Sequence, residues 1–167
     1  MSHSKHVSLA RESNVNSYAI RATSMFDGHG MSGPTTITVT DGVISDVHTT
    51  GETSVRVDND VDLGPDSCLL PGLIDSHVHL AFNAGPDPVA ALAETDDTEL
   101  LTQMRAAAHA VLQAGITTVR DLGDRNYLAL ALAEEFRQQP HTGPQILSAG
   151  PPLTTPGGHC HFFGGEV

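Results

Sequence analysis

One ten-residue stretch constrains the fold of this chain more than any other. Residues 71–80 read PGLIDSHVHL, an apolar run that ends in two histidines at positions i and i+2. Side chains alternate across a β-strand, so His77 and His79 share one face, with Asp75 earlier on that face. Neutral imidazole is the commonest protein ligand for zinc. The pattern predicts a metal site at a strand end, and the alternative is two histidines that only form hydrogen bonds there.

The residues before this stretch follow a β pattern. Runs rich in β-branched residues at 18–23, 36–40 and 43–48 predict strands, with a further strand near 54–61. Asp41-Gly42 between two of these runs indicates a hairpin with a type I′ turn. Residues 1–13 are polar and rich in Ser and His, which is typical of a disordered leader. We therefore predict a leader over 1–13 and a β-sandwich portion over 14–69.

Strand and helix patterns alternate after the His-x-His motif. A loop is expected at 83–88, then a helix over 97–114, a strand at 116–121, a helix near 127–138 and a strand at 145–149. This order predicts a parallel barrel whose chemistry lies at the carboxyl ends of the strands. A complete (β/α)8 barrel takes about 250 residues. The predicted fold class is therefore α/β, with the first three βα units of a TIM-type barrel over 70–167, preceded by part of a small β-sandwich.

Two features lie at or after the predicted strand ends. Asp121 closes the second barrel strand, where it could orient the neighbouring loop, pair with Arg120 or Arg125, or act in catalysis. The final segment, 150–167, is a glycine-rich loop with a second His-x-His motif, His159-Cys160-His161. Glycines let backbone approach a ligand closely, so this loop is expected to overhang the site.

The stretch 71–80 resembles the amidohydrolase superfamily. The run PLTTPGGH at 152–159 resembles the imidazolonepropionase-like and dipeptidase-like branch, in which a loop histidine at this place contacts substrate. The resemblance implies that His77 and His79 bind metal and that His159 binds substrate. Two alternatives stay open for the loop: its histidines have no role, or His159, Cys160 and His161 form a zinc site of their own.

The resemblance also implies a reaction and a set of missing parts. In this superfamily one or two divalent ions, with zinc the first choice, polarise the scissile group and activate water for hydrolysis of carbon–nitrogen bonds. The expected substrates are small amides, cyclic amides or dipeptides. A lysine at the fourth strand, histidines at the fifth and sixth, and an aspartate at the eighth complete such a site. This chain has none of those strands, and its only lysine is Lys5.

Two hypotheses follow from this incomplete set. In the first, the chain is the amino-terminal part of a metal-dependent hydrolase, inactive alone and dependent on a carboxyl-terminal barrel segment; its catalytic residues are then unidentified. In the second, the chain is a catalytically inactive truncated remnant, or a metal-binding piece that needs a partner chain.

Charge and hydropathy exclude several partners. The formal net charge is −12, which repels phosphate backbones and anionic lipid, so neither nucleic acid nor a membrane is an expected partner. No apolar run approaches the length of a membrane span, and the amino terminus lacks the apolar core of a secretory signal. A cytoplasmic location is the resulting expectation.

Overall fold

The computed structural model describes residues 16–49 and 57–165, and the chain divides into two compact units after Pro71. The expected leader at 1–13 and the first part of the strand expected near 54–61 lie outside the described residues. Within the described residues the first unit holds two sheets and the second unit holds one.

The first unit contains seven short strands within the described ranges. They are β1 Ser17–Ala22, β2 Ser24–Phe26, β3 Met31–Ser32, β4 Thr35–Thr40, β5 Val43–His48, β6 Asn59–Asp62 and β7 Cys68–Leu69. Four form a sheet in the order β5-β4-β1-β6, and three form a second sheet in the order β3-β2-β7. The hairpin between β4 and β5 is confirmed: Asp41 and Gly42 both have positive φ, 51° and 79°, as a type I′ turn requires.

The second unit alternates strands and helices. Its elements are β8 Leu73–Val78, α1 Pro88–Glu94, α2 Asp97–Gln113, β9 Ile116–Asp121, α3 Leu128–Gln138, β10 Gln145–Ser148 and a short 3-10 helix, His161–Phe163. The three strands pair in parallel in the order β10-β9-β8, so all three carboxyl ends lie at one edge. In the described part, two strand–helix–strand crossovers therefore link the three strands, and a loop follows the third strand.

One helix was missed by the sequence analysis. The chain was expected to remain a loop over 83–88 and to become helical only from 97, but α1 begins at Pro88. The Asp87 carboxylate accepts a hydrogen bond from the Ala90 N–H at 3.0 Å, and Pro88 has a φ suited to the first helical turn. Seven residues with three alanines carry too short an apolar stripe to be recognised by periodicity.

The core of this unit lies between the helices and the sheet. The predicted stripe of α2 is buried at Leu100, Met104 and Ala108, and Asp96 caps the helix by accepting from the Thr98 and Glu99 N–H groups. These residues join a cluster with buried side chains of α3, β9 and β10, namely Ala129, Leu132, Phe136, Val119 and Ile146. Burial of this stripe holds the two long helices on the sheet.

Gly72 fixes the approach of β8 to β9. A Cβ atom at this position would lie 2.2 Å from the Thr117 hydroxyl oxygen, so any larger residue would displace Thr117. The close backbone approach explains in physical terms why a glycine precedes this strand.

Arg125 connects the loop after β9 to the end of α1. Its guanidinium donates to the Asp97 carboxylate at 2.8 Å, to the Leu92 carbonyl at 2.7 Å and to the Thr95 carbonyl. The side chain is only 18% exposed. One cation therefore satisfies two carbonyl groups at the carboxyl end of α1 and pairs with a carboxylate in the first turn of α2.

We expect Arg125→Ala to lower the free energy of unfolding by about 1.5–3 kcal/mol, because it leaves partly buried carbonyls without a donor. Urea denaturation of the full chain measures this change. Arg137→Ala is the matched control: its pair with Glu134 is on the surface, with Arg137 73% exposed, so the expected change is within about 0.5 kcal/mol. Equal effects of the two substitutions would contradict this assignment.

Candidate metal site

The two histidines of the first motif lie side by side at the carboxyl end of β8. His77 lies within the strand and is exposed, and His79 directly follows the strand and is half-buried. Their ring centroids are 5.5 Å apart, with an angle of 70° between the ring planes. The structure therefore brings the predicted pair together at the edge where parallel sheets carry chemistry.

Strict alternation along β8 is interrupted after Asp75. The pairing of β8 with β9 shifts register between Asp75 and Val78, so β8 carries one extra residue there. The Asp75 carboxylate accepts a hydrogen bond from the His77 N–H at 3.1 Å. Its oxygen therefore bonds to the strand's own backbone.

His79 is held by a hydrogen bond and by aromatic rings. Its Nδ1 lies 3.0 Å from the Gly123 carbonyl oxygen. Because a carbonyl can only accept, Nδ1 must carry the proton, which leaves the Nε2 lone pair free. The ring also stacks on Phe163 at 5.7 Å between centroids and contacts Phe82 at 5.3 Å. Metal-binding histidines in proteins commonly donate their other ring N–H to a backbone carbonyl in this way.

Asp121 is fully buried beside this site, at the end of β9. Its two oxygens accept from the Leu80 N–H at 2.9 Å and the Gly123 N–H at 3.0 Å. Burial raises the pKa of Asp121 above its ordinary value, although these two hydrogen bonds and nearby His79 oppose the shift. Of the three roles considered for Asp121, the geometry matches that of orienting the neighbouring loop; Arg125 pairs with Asp97 instead.

Asp124 is a second fully buried carboxyl group, three residues further on, which the sequence analysis did not single out. Its Oδ2 accepts from the Ala129 N–H at 2.6 Å, in the first turn of α3. Its Oδ1 is buried and has no hydrogen-bond partner among the described residues. Burial is the main cause that raises the pKa of Asp124, and the charge of Asp121 adds to it.

The loop after β10 contacts the site through its aromatic residues. Phe163 is buried and stacks on His79, whereas His159 is exposed. The His161 ring lies 3.0 Å from the Gly158 carbonyl, within its own loop. Within residues 16–49 and 57–165, no three His, Cys, Asp or Glu side chains converge as a metal-binding group. The separate zinc site considered for His159, Cys160 and His161 is thus not formed.

The histidine pair offers the right type of ligand for a divalent metal but too few ligands. Imidazole suits zinc and related ions, and the bond from Nδ1 to Gly123 leaves the other nitrogen of His79 available. Catalytic zinc sites normally have three protein ligands and a water molecule. The described residues therefore supply part of a metal site.

A cavity of about 600 Å³ lies elsewhere in the second unit. Its wall includes Leu130 and Phe136 of α3, together with Thr117 and Gln145 at the amino ends of β9 and β10. It is therefore at the opposite end of the strands from the histidine pair.

Comparisons with known proteins agree with this geometry. The sequence model of the Amidohydrolase family matches residues 68–163. A Xaa-Pro dipeptidase with bound methionine has a TM-score of 0.76 and 26% identity, covering 91% of this chain and 37% of that structure. Molinate hydrolase has a TM-score of 0.70 and 25% identity, covering 83% of this chain and 31% of that structure. Phenylurea hydrolase B has a TM-score of 0.67 and 27% identity, covering 81% and 31%.

The parallel strand–helix unit and its similarity to these solved structures thus place the chain in the α/β class. The chain belongs to the amidohydrolase family. It spans about a third of the length of the solved structures that it matches. A search of curated proteins gave no significant match.

In the part of the chain that the structure describes, no helix combines the length and apolar character that crossing a membrane requires.

The buried carboxyl of Asp124 predicts a pH-dependent effect of substitution. A carboxyl group whose pKa is raised on folding favours the folded state at low pH, and this contribution is lost as pH rises from the ordinary value of 3.8 through the raised one. Asn cannot ionise and keeps an oxygen for the Ala129 N–H. We expect Asp124→Asn to gain stability relative to the unsubstituted chain as pH rises from about 4 to about 7.5.

Urea denaturation at both pH values measures this difference, with Asp97→Asn as the control of opposite sign. The hydrogen bonds from Asn126 and Arg125 lower the pKa of Asp97, so its carboxylate stabilises the fold above the ordinary pKa and loses this effect as pH falls. Asp97→Asn should therefore lose stability relative to the unsubstituted chain as pH rises. The same trend in both variants would refute the assignment.

Proposed function

We propose that this chain is the amino-terminal part of a metal-dependent amidohydrolase, which hydrolyses carbon–nitrogen bonds other than protein peptide bonds in small molecules. The observation that carries the proposal is the histidine pair, with rings 5.5 Å apart at the carboxyl end of the first strand of a parallel sheet. Membership of the amidohydrolase family supports it. We also propose a cytoplasmic location, on the sequence alone.

In this proposal the second unit is the first part of a (β/α)8 barrel, from residue 70 onward, and residues 14–69 are part of a β-sandwich. The support is the parallel order β10-β9-β8 with helices between the strands. The sheet has β8 at one edge, where Leu73 is 48% and Ile74 72% exposed, and β10 at the other. A carboxyl-terminal barrel segment would pair with both edges.

His77 and His79 would hold the metal ion, for which zinc is the first choice. When bound, the ion supplies Lewis-acid polarisation of the scissile group and lowers the pKa of water. The chain's own contribution is to hold the two imidazoles: Gly123 keeps the proton of His79 on Nδ1, and Phe163 covers one face of its ring. His159, exposed on the loop after β10, would contact the substrate.

The proposed substrates are small amides, cyclic amides or dipeptides. Similar structures include a Xaa-Pro dipeptidase and phenylurea hydrolase B, whose names indicate dipeptide and urea substrates. A net charge of −12 argues against polyanionic substrates such as nucleic acids. These considerations favour a small, neutral or zwitterionic substrate.

The second candidate function is that of an inactive remnant, or a metal-binding piece that requires a partner chain. The observation in its favour is the donor count, because the described residues bring together two imidazoles and no third ligand. Both candidates predict weak metal binding by the chain alone, and they differ in what a carboxyl-terminal partner restores.

Metal binding by the full 167-residue chain should depend on both histidines of the pair. We expect weak Zn²⁺ binding, since two imidazoles fall short of the usual three ligands, and at least about tenfold weaker binding after His77→Ala or His79→Ala. Isothermal titration calorimetry measures the affinity. His161→Ala is the matched control, because the His161 ring bonds within its own loop. Unchanged affinity in the first two variants would exclude this site.

Complementation separates the two candidates. The chain is co-expressed with the carboxyl-terminal part of the Xaa-Pro dipeptidase that it does not cover, and the purified, metal-loaded complex is assayed on amide, cyclic amide and dipeptide panels. The proposal expects hydrolysis of at least one panel, abolished by His77→Ala and retained by Arg137→Ala. A metal-loaded complex that hydrolyses none of them would instead support the inactive candidate.

A further inference from the structure

Asp121 bonds both to the backbone that follows His79 and to the residue that binds the His79 ring. The residue has no exposed surface, and each carboxylate oxygen accepts one backbone N–H. The first belongs to Leu80, the residue directly after His79. The second belongs to Gly123, whose carbonyl accepts the hydrogen bond from His79 Nδ1. One side chain thus bonds to the backbone next to His79 and to Gly123, the residue that binds the His79 ring.

Gly123 lies directly against this ring. A Cβ atom at position 123 would lie 3.4 Å from both His79 Nδ1 and Cε1, and 3.3 Å from Pro152 Cδ. The loop therefore passes between the imidazole and the segment after β10. The Gly123 N–H, which donates to Asp121, and the Gly123 carbonyl, which faces Nδ1, flank the same Cα, so the Asp121 carboxylate anchors the residue whose carbonyl meets the ring.

We propose that Asp121 is a positioning residue, which sets the orientation and the Nδ1–H tautomer of His79 through Gly123. The inference rests on the proposed function in one respect, namely that His79 is a metal ligand. Asp121 itself touches neither metal nor substrate in this role. Loss of its carboxylate would free the Gly123 loop and let the His79 proton exchange between the two ring nitrogens.

The test is long-range 1H–15N NMR of the imidazole nitrogens in the metal-free 167-residue chain, at about pH 8, where unperturbed imidazole is neutral. His79→Gln identifies the His79 signals. The unsubstituted chain should show His79 protonated on Nδ1. Asp121→Asn keeps the size of the side chain but turns an amide donor toward one of the two N–H groups, so the Nδ1–H population should fall.

Asp124→Asn is the matched control. The Asp124 side chain is also fully buried, but it bonds to the first turn of α3 and not to Leu80 or Gly123. It should retain the Nδ1–H tautomer. A general loss of packing would alter both variants alike. If Asp121→Asn does not fold, amide hydrogen exchange in the unsubstituted chain replaces it: the Leu80 and Gly123 N–H groups should both be protected, as their bonds to Asp121 require.

Zinc titration provides the second readout, with a loss of about 10–100-fold in affinity expected for Asp121→Asn and a change below about twofold for Asp124→Asn. A His79 protonated on Nε2 in the unsubstituted chain would overturn the inference, as would an Nδ1–H population that Asp121→Asn leaves unaltered or, where that variant does not fold, unprotected Leu80 and Gly123 amides. If the tautomer responds as expected but the unsubstituted chain binds no zinc, the proposed function fails and the positioning role of Asp121 stands.

Discussion

The parallel pairing of β8 with β9 is the constraint on which the candidate site depends. It places Val78 opposite Asp121, so both strands end at the same level. His79 and Leu80 then follow one strand, where the His79 ring reaches the Gly123 carbonyl and the Leu80 N–H reaches the Asp121 carboxylate of the other strand. Gly72 permits this pairing, since a side chain there would collide with Thr117. The site is therefore a consequence of how two neighbouring strands meet, and the helices α2 and α3 keep those strands in register by covering the sheet.

The strands and the two long helices could be predicted because their signals are local. Runs such as Ile116–Asp121 are β-branched, and α2 carries an apolar stripe between a capping aspartate, Asp96, and Gly115 with φ of 86°. The adjacent histidines could also be predicted, because alternation along a strand requires nothing from the rest of the chain. The family could be recognised from the same residues, since its motif is contiguous.

The remaining features depend on contacts between distant residues. The register shift in β8 is set by its pairing with β9, and the Asp75 carboxylate bonds to the His77 N–H, and alternation alone predicts neither feature. Arg125 was considered a partner of Asp121, but it reaches the end of α1, a helix too short to be recognised. Asp124 gave no signal at all, because its burial follows from the packing of α3. Whether His159 binds substrate is still a prediction, as the loop leaves it exposed.

The position of β8 at the edge of its sheet has a consequence for how copies of this chain behave together. Among the described residues β8 is the last strand of the sheet, and its exposed Leu73 and Ile74 form a surface on which another strand can add. Each copy also carries a formal charge of −12, so two copies repel each other over roughly the Debye length, about 10 Å at 0.1 M salt. Added salt shortens that distance. Colloidal stability of the chain should therefore decrease as ionic strength rises, with acidic surface residues acting as the barrier to self-association.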